Sequence, residues 1–349
     1  MMTTRMGLLA SAVLCMAIGC SGPGADGRTG TGKQAPPSDQ PQSPERSPAK
    51  EPPRTIAVIP KGTTHEFWKS VHAGANKAGR EAGVTIAWKG PVREDDRAEQ
   101  IKVVENFIAA RVAGIVLAPL DDKALVPVVK DAIGEGIPVV IIDSDLSFAG
   151  RVSFVATDNH AGGAAAAQRL GTLLGGKGKV AMMRYQEGSA STMKREQGFL
   201  DALQKKFPEI EVVSSNQYGG ATTETAYKTA ENLLVRFGEL DGIFCPNEST
   251  TFGMLRALQD AKRAGTVRFV GFDASSKLVE ALGQGQIHGL AVQNPFAMGN
   301  LGVKALVDHL AGSPVDKRID TGVEMITADN MGQPPMQALL SPDLDKWLK

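Results

Sequence analysis

From about residue 54 onward the chain alternates between two kinds of segment. Short, apolar, β-rich runs occupy 55–60, 84–88, 114–118, 138–142, 152–156, 180–183, 212–214, 242–244, 267–271 and 287–292. Between most of them lie stretches with helical spacing. Phe67, Val71, Ala75 and Ala78 recur at i, i+4, i+8 and i+11, and Ile101, Val104, Phe107 and Ile108, then Phe252, Leu255 and Leu258, do the same. Strands that alternate with helices predict βαβ units and parallel sheets. Runs that are apolar throughout, rather than at every second position, predict sheets covered on both faces. About ten strands exceed one ordinary sheet. The spacing divides them into similar halves near 156–158, so the fold class expected is α/β, with two Rossmann-like lobes.

The first 53 residues break this pattern. Arg5 is followed by an apolar run over 6–18 and then by Gly19-Cys20. Such a run is too short to span a bilayer, which takes about 20 residues, and reads as an export signal. Ala17-Ile18-Gly19-Cys20 resembles the bacterial lipobox, in which small residues precede an acylated, cleaved cysteine. Residues 1–19 are therefore expected to be a signal peptide and Cys20 the site of lipidation. Residues 20–53, rich in Gly, Ser, Pro and Gln, are expected to form a disordered tether that cannot bury enough surface to fold. Cys15 would leave with the signal and Cys20 would carry lipid. Cys245 alone then remains, so no intramolecular disulfide is expected, and its place after an apolar run reads as a buried small residue. Lys+Arg and Asp+Glu both number 38. That balance gives no basic field to gather nucleic acid.

In open α/β sheets a ligand sits beyond the carboxyl ends of the strands. Here those ends carry Lys61, His65, Phe67 and Trp68 after the first run, then Asp143-Ser144-Asp145, Thr157-Asp158-Asn159, Asn247-Glu248-Ser249, Asp273 and Gln293. Asp158 and Glu248 each open a helix and fit a capping role. Asp143, Asn247, Asp273 and Gln293 fit it less well. Carboxylates and amides can bond paired hydroxyls in fixed geometry, and aromatic faces can stack on the C–H face of a sugar ring. The set suits a small polyhydroxylated ligand, whose lost water bonds a site must replace. Enzyme and cofactor motifs fail on order or spacing. The glycine-rich stretch 171–178 follows a helix, precedes a strand and lacks the Ser/Thr of a phosphate loop. His65, His72, His160, His288 and His309 show no zinc spacing. No metal and no cofactor are expected, and the chain does not read as an enzyme.

These segments, taken together and in order, resemble the periplasmic sugar-binding proteins of the ribose-binding type, which share their fold with the effector domains of lactose-repressor-like regulators. The matching stretches include Ile56-Ala57-Val58-Ile59, Phe67-Trp68, Gly74-Ala75 and the run 137–143. They continue with Ala156-Thr157-Asp158-Asn159, Gly162-Gly163, the run 195–199, Asn247-Glu248, Val270-Gly271-Phe272-Asp273 and Ala291-Val292-Gln293. The resemblance implies ligand contacts from Lys61, His65, Phe67, Trp68 and Asp143 in one lobe and from Arg195, Asn247 and Asp273 in the other, with Gln293 near the hinge. It implies three crossings between lobes, near 157, 293 and 322. The lobes are then 54–157 plus 294–322, and 158–293 plus 323–349. It also implies closure of a hinge around a sugar-like ligand, delivery to an ABC transporter permease, and residence in the periplasm or at the cell surface with only the lipid anchor in the membrane. A monomer is expected. Two positions depart from ribose binders. Ser144 stands where they carry Arg, and only Tyr218 lies where they place a third ring. Lys61, His65 and Arg195 together leave an acidic or phosphorylated sugar open as the ligand. Two other readings also stay open at this point. One is a sensory binding protein that presents its closed form to a receptor. The other is an enzyme acting on a sugar or nucleoside through Asp143, Asp145 and Asp273.

Overall fold

The computed structural model describes residues 54–349. The expected signal peptide, Cys20 and the tether lie outside the described residues. The first sheet is built from β1 (Thr55–Ile59), β2 (Thr85–Trp88), β3 (Gly114–Leu117), β4 (Val139–Ile142), β5 (Phe154–Ala156) and β11 (Arg318–Asp320), in the order β11-β5-β4-β3-β1-β2. All of its pairings are parallel. The second contains β6 (Lys177–Arg184), β7 (Glu209–Tyr218), β8 (Gly242–Phe244), β9 (Arg268–Phe272), β10 (Gly289–Gln293) and β12 (Val323–Ile326), in the order β12-β10-β9-β8-β6-β7. Each sheet repeats one doubly wound order. The only antiparallel pairing among the described strands is β12 against β10.

The apolar strands bury both faces, as their composition predicts. In the first sheet Ile56, Val58, Val116, Val140 and Ile142 face one core, while Ala57, Ile59, Ile115, Leu117, Val139 and Ile141 face another. In the second, Val180, Met182, Val270 and Phe272 face one core and Ala181, Met183 and Phe269 the other. This alternation places helices on both sides. The first sheet is flanked by α1 (Glu66–Ala82), α2 (Arg97–Ala109), α3 (Val126–Gly134) and α9 (Pro295–Leu310). Around the second sheet lie α4 (Asn159–Leu173), α5 (Ala190–Lys206), α6 (Thr223–Arg236), α7 (Glu248–Asp260), α8 (Ser276–Gly283) and α10 (Pro334–Leu340). The expected helical stripe of Phe67, Val71, Ala75 and Ala78 is the buried face of α1. Cys245 is free and fully buried, and burial pushes its thiol pKa well up.

The chain passes between the sheets from β5 to α4, from β10 to α9 and from β11 to β12. A further return follows α10. The short helix α11 (Asp345–Leu348) packs on α1 of the first lobe, so residues 323–349 do not all stay with the second lobe, where the sequence places them. The cause is local. Asn76 Nδ2 donates to the Trp347 carbonyl at 2.9 Å and Arg80 Nη2 to the Lys349 carbonyl at 2.6 Å, while the Arg80 guanidinium lies 5.7 Å from the centre of the Trp347 ring. Strands β11 and β12 also escape the periodicity. Arg-Ile-Asp and Val-Glu-Met-Ile are too short and too polar to register as apolar runs.

Two glycine-mediated helix contacts set the lobes' dimensions. A Cβ on Gly74 of α1 would overlap the Phe296 carbonyl of α9, and one on Gly299 of α9 would overlap the Val71 carbonyl of α1. In the second lobe, Gly163 of α4 sits against the Arg195 backbone of α5, and Gly198 of α5 against the His160 backbone of α4. Because the obstructing atoms are backbone, a side chain must push whole helices apart. We expect Gly74→Ala and Gly163→Ala each to cost about 1–3 kcal/mol of stability, the usual range for overpacking. Only Gly163→Ala should also impair the site, because α5 carries Arg195. Equal stability of the wild type and both variants in urea titrations would contradict this.

Candidate functional site: a closed polar cavity between the lobes

The carboxyl ends of both sheets face one gap. It takes in ≈ 330 Å³ of unfilled space, part of it open to solvent, and is lined by all nine of the side chains singled out from the sequence: Lys61, His65, Phe67, Trp68, Asp143, Arg195, Asn247, Asp273 and Gln293. The loop after β1 is held by Gln100, fully buried, which donates to the carbonyls of Pro60 and Ala118 and accepts from Leu120 N–H. The ends of β1 and β3 are thereby tied at one height, and Lys61, His65 and the first turn of α1 are presented to the gap.

Two aspartates occupy matching places in the two lobes. Asp143 follows β4 and Asp273 follows β9, and both adopt left-handed backbone, with φ of 60° and 67°. Asp tolerates this conformation better than most residues, and such positions cluster at functional sites. Each backbone N–H still completes a strand-like bond, to Val155 and Ala291 respectively.

The buried charges are paired within the protein. Lys61 Nζ lies 2.7 Å from Asp143 Oδ2 and also donates to Ser191 Oγ of the second lobe at 3.1 Å. His65 Nδ1 lies 2.8 Å from Glu94 Oε1. Burial alone would lower the His65 pKa, but the bond to Glu94 and its charge, helped by Glu248 and Asp273, push it up to about 9. Burial alone would raise the Glu94 carboxyl. The bond and charge of His65, the charge of Lys61 and the bond from Tyr185 outweigh it and bring the pKa down to about 2. Arg195 donates from Nε to Asn159 Oδ1 at 2.8 Å and from Nη1 to the Pro246 carbonyl at 2.9 Å. Its guanidinium centre lies 4.0 Å from the centre of the Phe272 ring, and Nη1 stands 3.9 Å from Asp273 Oδ2. Gln293 Nε2 donates to Asp273 Oδ1 at 2.6 Å, and the Glu248 N–H donates to Asp273 Oδ2 at 3.1 Å. Burial raises the Asp273 pKa. Two buried polar atoms of this set, Arg195 Nη2 and Gln293 Oε1, find no hydrogen-bond partner among the described residues. One donor and one acceptor are thus left for a guest.

Apolar surface completes the wall. Phe67 and Trp68 meet edge to face with ring centres 4.9 Å apart, and Tyr185 supplies a third ring from the second lobe. Two sheets' worth of hydroxyl-bonding groups and three rings around one gap make a binding chamber for a small polar molecule.

Comparison with known proteins agrees with that description. Residues 56–314 match the family described as periplasmic binding protein domain. The chain belongs to this family. Among curated relatives of this periplasmic binding protein, the D-allose-binding periplasmic protein of Escherichia coli is 32% identical over 72% of this chain and 83% of its own length. Among solved structures, a carbohydrate transporter solute binding protein from Agrobacterium radiobacter, in complex with D-arabinose, is 33% identical. It covers 83% of this chain and 100% of its own at a TM-score of 0.81. An ABC transporter solute binding protein from Agrobacterium vitis with bound D-fucose is 37% identical, covers 82% and 99%, and has a TM-score of 0.79. The resemblance read from the sequence, and the two-lobe α/β fold it implied, are those of the family.

Five lining residues are not among the nine: Glu94, Tyr185, Ser191, Thr192 and Glu248. Tyr185 directly follows β6, so the strand-end rule reaches it once the end of that strand is known. Glu248 reads in the sequence as a helix cap. It instead stands one residue inside α7, after Asn247, and its Oε2 accepts from the Phe67 N–H across the gap at 3.4 Å. Asp158 does cap α4, accepting from Ala161 N–H. Asp145 is not among the lining residues; it faces Arg151 at 3.1 Å. Tyr218, the ring expected from the second lobe, is not among them either, and lies under Arg184. Among the described residues no cluster suited to a metal ion occurs.

The shifted groups give a signed pH dependence. The His65 pKa in the folded chain, about 9, exceeds its ordinary 6.5, so its contribution to stability is fully present below pH 6.5 and is lost as pH rises through 9. Burial raises Glu248 from 4.5 to about 7, so the folded chain keeps a proton that the unfolded chain has released, and stability again falls as pH rises through that window. We expect the melting temperature to decline between about pH 5 and 9. Glu248→Gln should flatten the lower half of the decline and His65→Gln the upper half. A wild-type profile that is level across this range would refute the assignment.

Proposed function

We propose that this chain is the solute-binding component of a sugar ABC transporter, which closes its lobes on one neutral monosaccharide and presents the closed form to the membrane permease. The observation that carries the reading is the buried gap itself, where opposed sheet ends leave Arg195 Nη2 and Gln293 Oε1 unpaired beside Phe67, Trp68 and Tyr185. Neutrality follows from the pairing. Lys61, His65 and Arg195 stand against Asp143, Glu94 and Asp273, and Glu248 adds a further carboxyl. A phosphate or carboxylate on the ligand would find Lys61 and His65 bonded to carboxylates and Arg195 beside Asp273, and would add a further negative charge to a gap that already holds Glu248. This argues against the acidic-sugar alternative. D-Allose, D-arabinose and D-fucose, named with the relatives, are neutral and similar in size. The pairing also disfavours acid–base chemistry, since Asp143 and Asp273 are committed to fixed partners. Upstream, Cys20 is the residue proposed to carry lipid, so that a monomeric module works at an exported membrane surface.

Calorimetric titration with pentoses, hexoses, deoxyhexoses, hexuronates and sugar phosphates tests this. At least one neutral aldose should bind at micromolar affinity or better, about −8 kcal/mol, and the charged sugars should not compete. Asp273→Ala and Asn247→Ala should each weaken binding by more than about 1.5 kcal/mol, the scale of a charge-assisted hydrogen bond, while remaining folded. Wild-type affinity in both variants, or tighter binding of a sugar phosphate than of its parent sugar, would overturn the proposal. Separately, Cys20→Ser should release the protein from the membrane fraction; continued sedimentation with membranes would remove Cys20 as the anchor.

A further inference from the structure

Several contacts between the lobes lie at the rim. Glu66 accepts from Ser276 N–H and Oγ, and Arg97 Nη2 donates to the Glu187 carbonyl, all in exposed positions. Such bonds compete with water and contribute little. The contact made by Glu94 differs in kind. This residue, from the loop between β2 and α2, is only 7% exposed and has both carboxylate oxygens engaged. Its Oε1 accepts from Trp68 Nε1 at 2.6 Å and from His65 Nδ1 at 2.8 Å, both in its own lobe. Its Oε2 accepts from Tyr185 Oη at 2.7 Å, from the opposite lobe, and Gln186 Nε2 of that lobe donates to the Glu94 carbonyl at 2.9 Å. The close approach of the loop depends on Gly62, where a Cβ would come within 2.8 Å of Glu94 Cγ.

We infer that Glu94 and Tyr185 form a closure latch: Glu94 positions His65 and Trp68 for the ligand, and its second oxygen is satisfied by protein only when the lobes close. The inference rests on the sugar-binding reading above. In the open form Tyr185 moves away with its lobe and water takes its place on Oε2. In the closed form water is excluded, and the phenol is what keeps a buried carboxylate from being left half-bonded. The latch therefore acts on the closed form alone. It slows ligand release and leaves capture untouched, because capture begins from the open form. Burial and the neighbouring carboxylate push the Tyr185 pKa well up, so the phenol stays a donor.

Tyr185→Phe removes the hydroxyl and keeps the ring. With whichever neutral sugar binds the wild type, stopped-flow fluorescence should show dissociation about 10- to 100-fold faster, the range for a hydrogen bond to a charged group. Association should change by less than about twofold, and the melting temperature of the ligand-free protein should stay unchanged. Glu94→Gln should also weaken binding, and the double variant should be no weaker than the worse single, since the two side chains act through one bond. Unchanged dissociation in Tyr185→Phe, additive losses in the double variant, or a ligand-free melting point that falls in step with affinity would each overturn the latch; the last would make Tyr185 an ordinary core residue. If Glu94→Gln fails to fold, the Tyr185→Phe kinetics decide alone. If the wild type binds no sugar in the panel, the sugar reading fails. The latch, which rests on that reading, falls with it, whereas a sugar that binds the wild type and leaves Tyr185→Phe at the wild-type rate overturns the latch alone.

Discussion

Burying a charge without an opposite partner costs several kcal/mol even after the protein relaxes. A chamber meant to hold a hydroxyl-rich molecule cannot dispense with charged groups, because they make the strongest hydrogen bonds to hydroxyls. The chain meets both demands by tying each cation to a carboxylate before any guest arrives: Lys61 to Asp143, His65 to Glu94, and Arg195 near Asp273. The rest of the structure serves this arrangement. The amide of Gln100 fixes the loop that carries Lys61, and Gln293 and the first N–H of α7 hold Asp273 in orientation. The Phe272 ring, against the Arg195 guanidinium, excludes water from one side of it. What remains unpaired is small, uncharged in sum and directional, which is what discriminates one sugar hydroxyl from another.

The two lobes solve the same problem twice. Each ends a central strand in an aspartate with left-handed backbone, and each packs a helix pair through reciprocal glycines. In the second lobe the glycine contact falls directly on Arg195, so packing and recognition are coupled there. In the first lobe it falls away from the gap, between Gly74 and Val71 of α1 and Phe296 and Gly299 of α9. A ligand between the lobes therefore reads two rigid frames, and the hinge needs only to bring them together.

Much of this was legible in the sequence, for physical reasons that also mark its limit. Strands apolar throughout announce sheets buried on both faces, and the residue after such a strand is placed by the fold itself. Asp143, Asp273, Asn247 and Gln293 could therefore be located without coordinates. Glu94 could not, because it lies in a loop several residues beyond β2, and nothing in Arg93-Glu94-Asp95-Asp96 separates a buried carboxylate from solvated neighbours. Only the three-dimensional meeting of that loop with Gly62, His65, Trp68 and Tyr185 sets it apart. The pairing of the cations was hidden for the same reason. Lys61 and Asp143 are adjacent only because β1 and β4 both flank β3, and the sequence alone suggested free positive charge where the fold supplies neutral pairs. The return of Trp347 to α1 depends likewise on Arg80 and Asn76, distant in sequence and unremarkable in pattern.

Closure, finally, sorts the cross-lobe contacts by how much water they exclude. At the rim, the Glu66–Ser276 and Arg97–Glu187 bonds exchange one set of hydrogen bonds for another at nearly equal free energy. Around the gap, Lys61 reaches Ser191, Glu248 reaches the Phe67 N–H at the start of α1, and Glu94 reaches Tyr185, all where water is largely displaced. There the cost of a missing partner exceeds the benefit of a present one, because an unsatisfied buried group forfeits its hydration outright. A lobe pair closed on nothing would leave Arg195 Nη2 and Gln293 Oε1 in that condition. On the proposed reading a sugar between the lobes satisfies them, so the same unpaired atoms that make the empty chamber unfavourable make the filled one stable, and the free energy of binding becomes the free energy of closing.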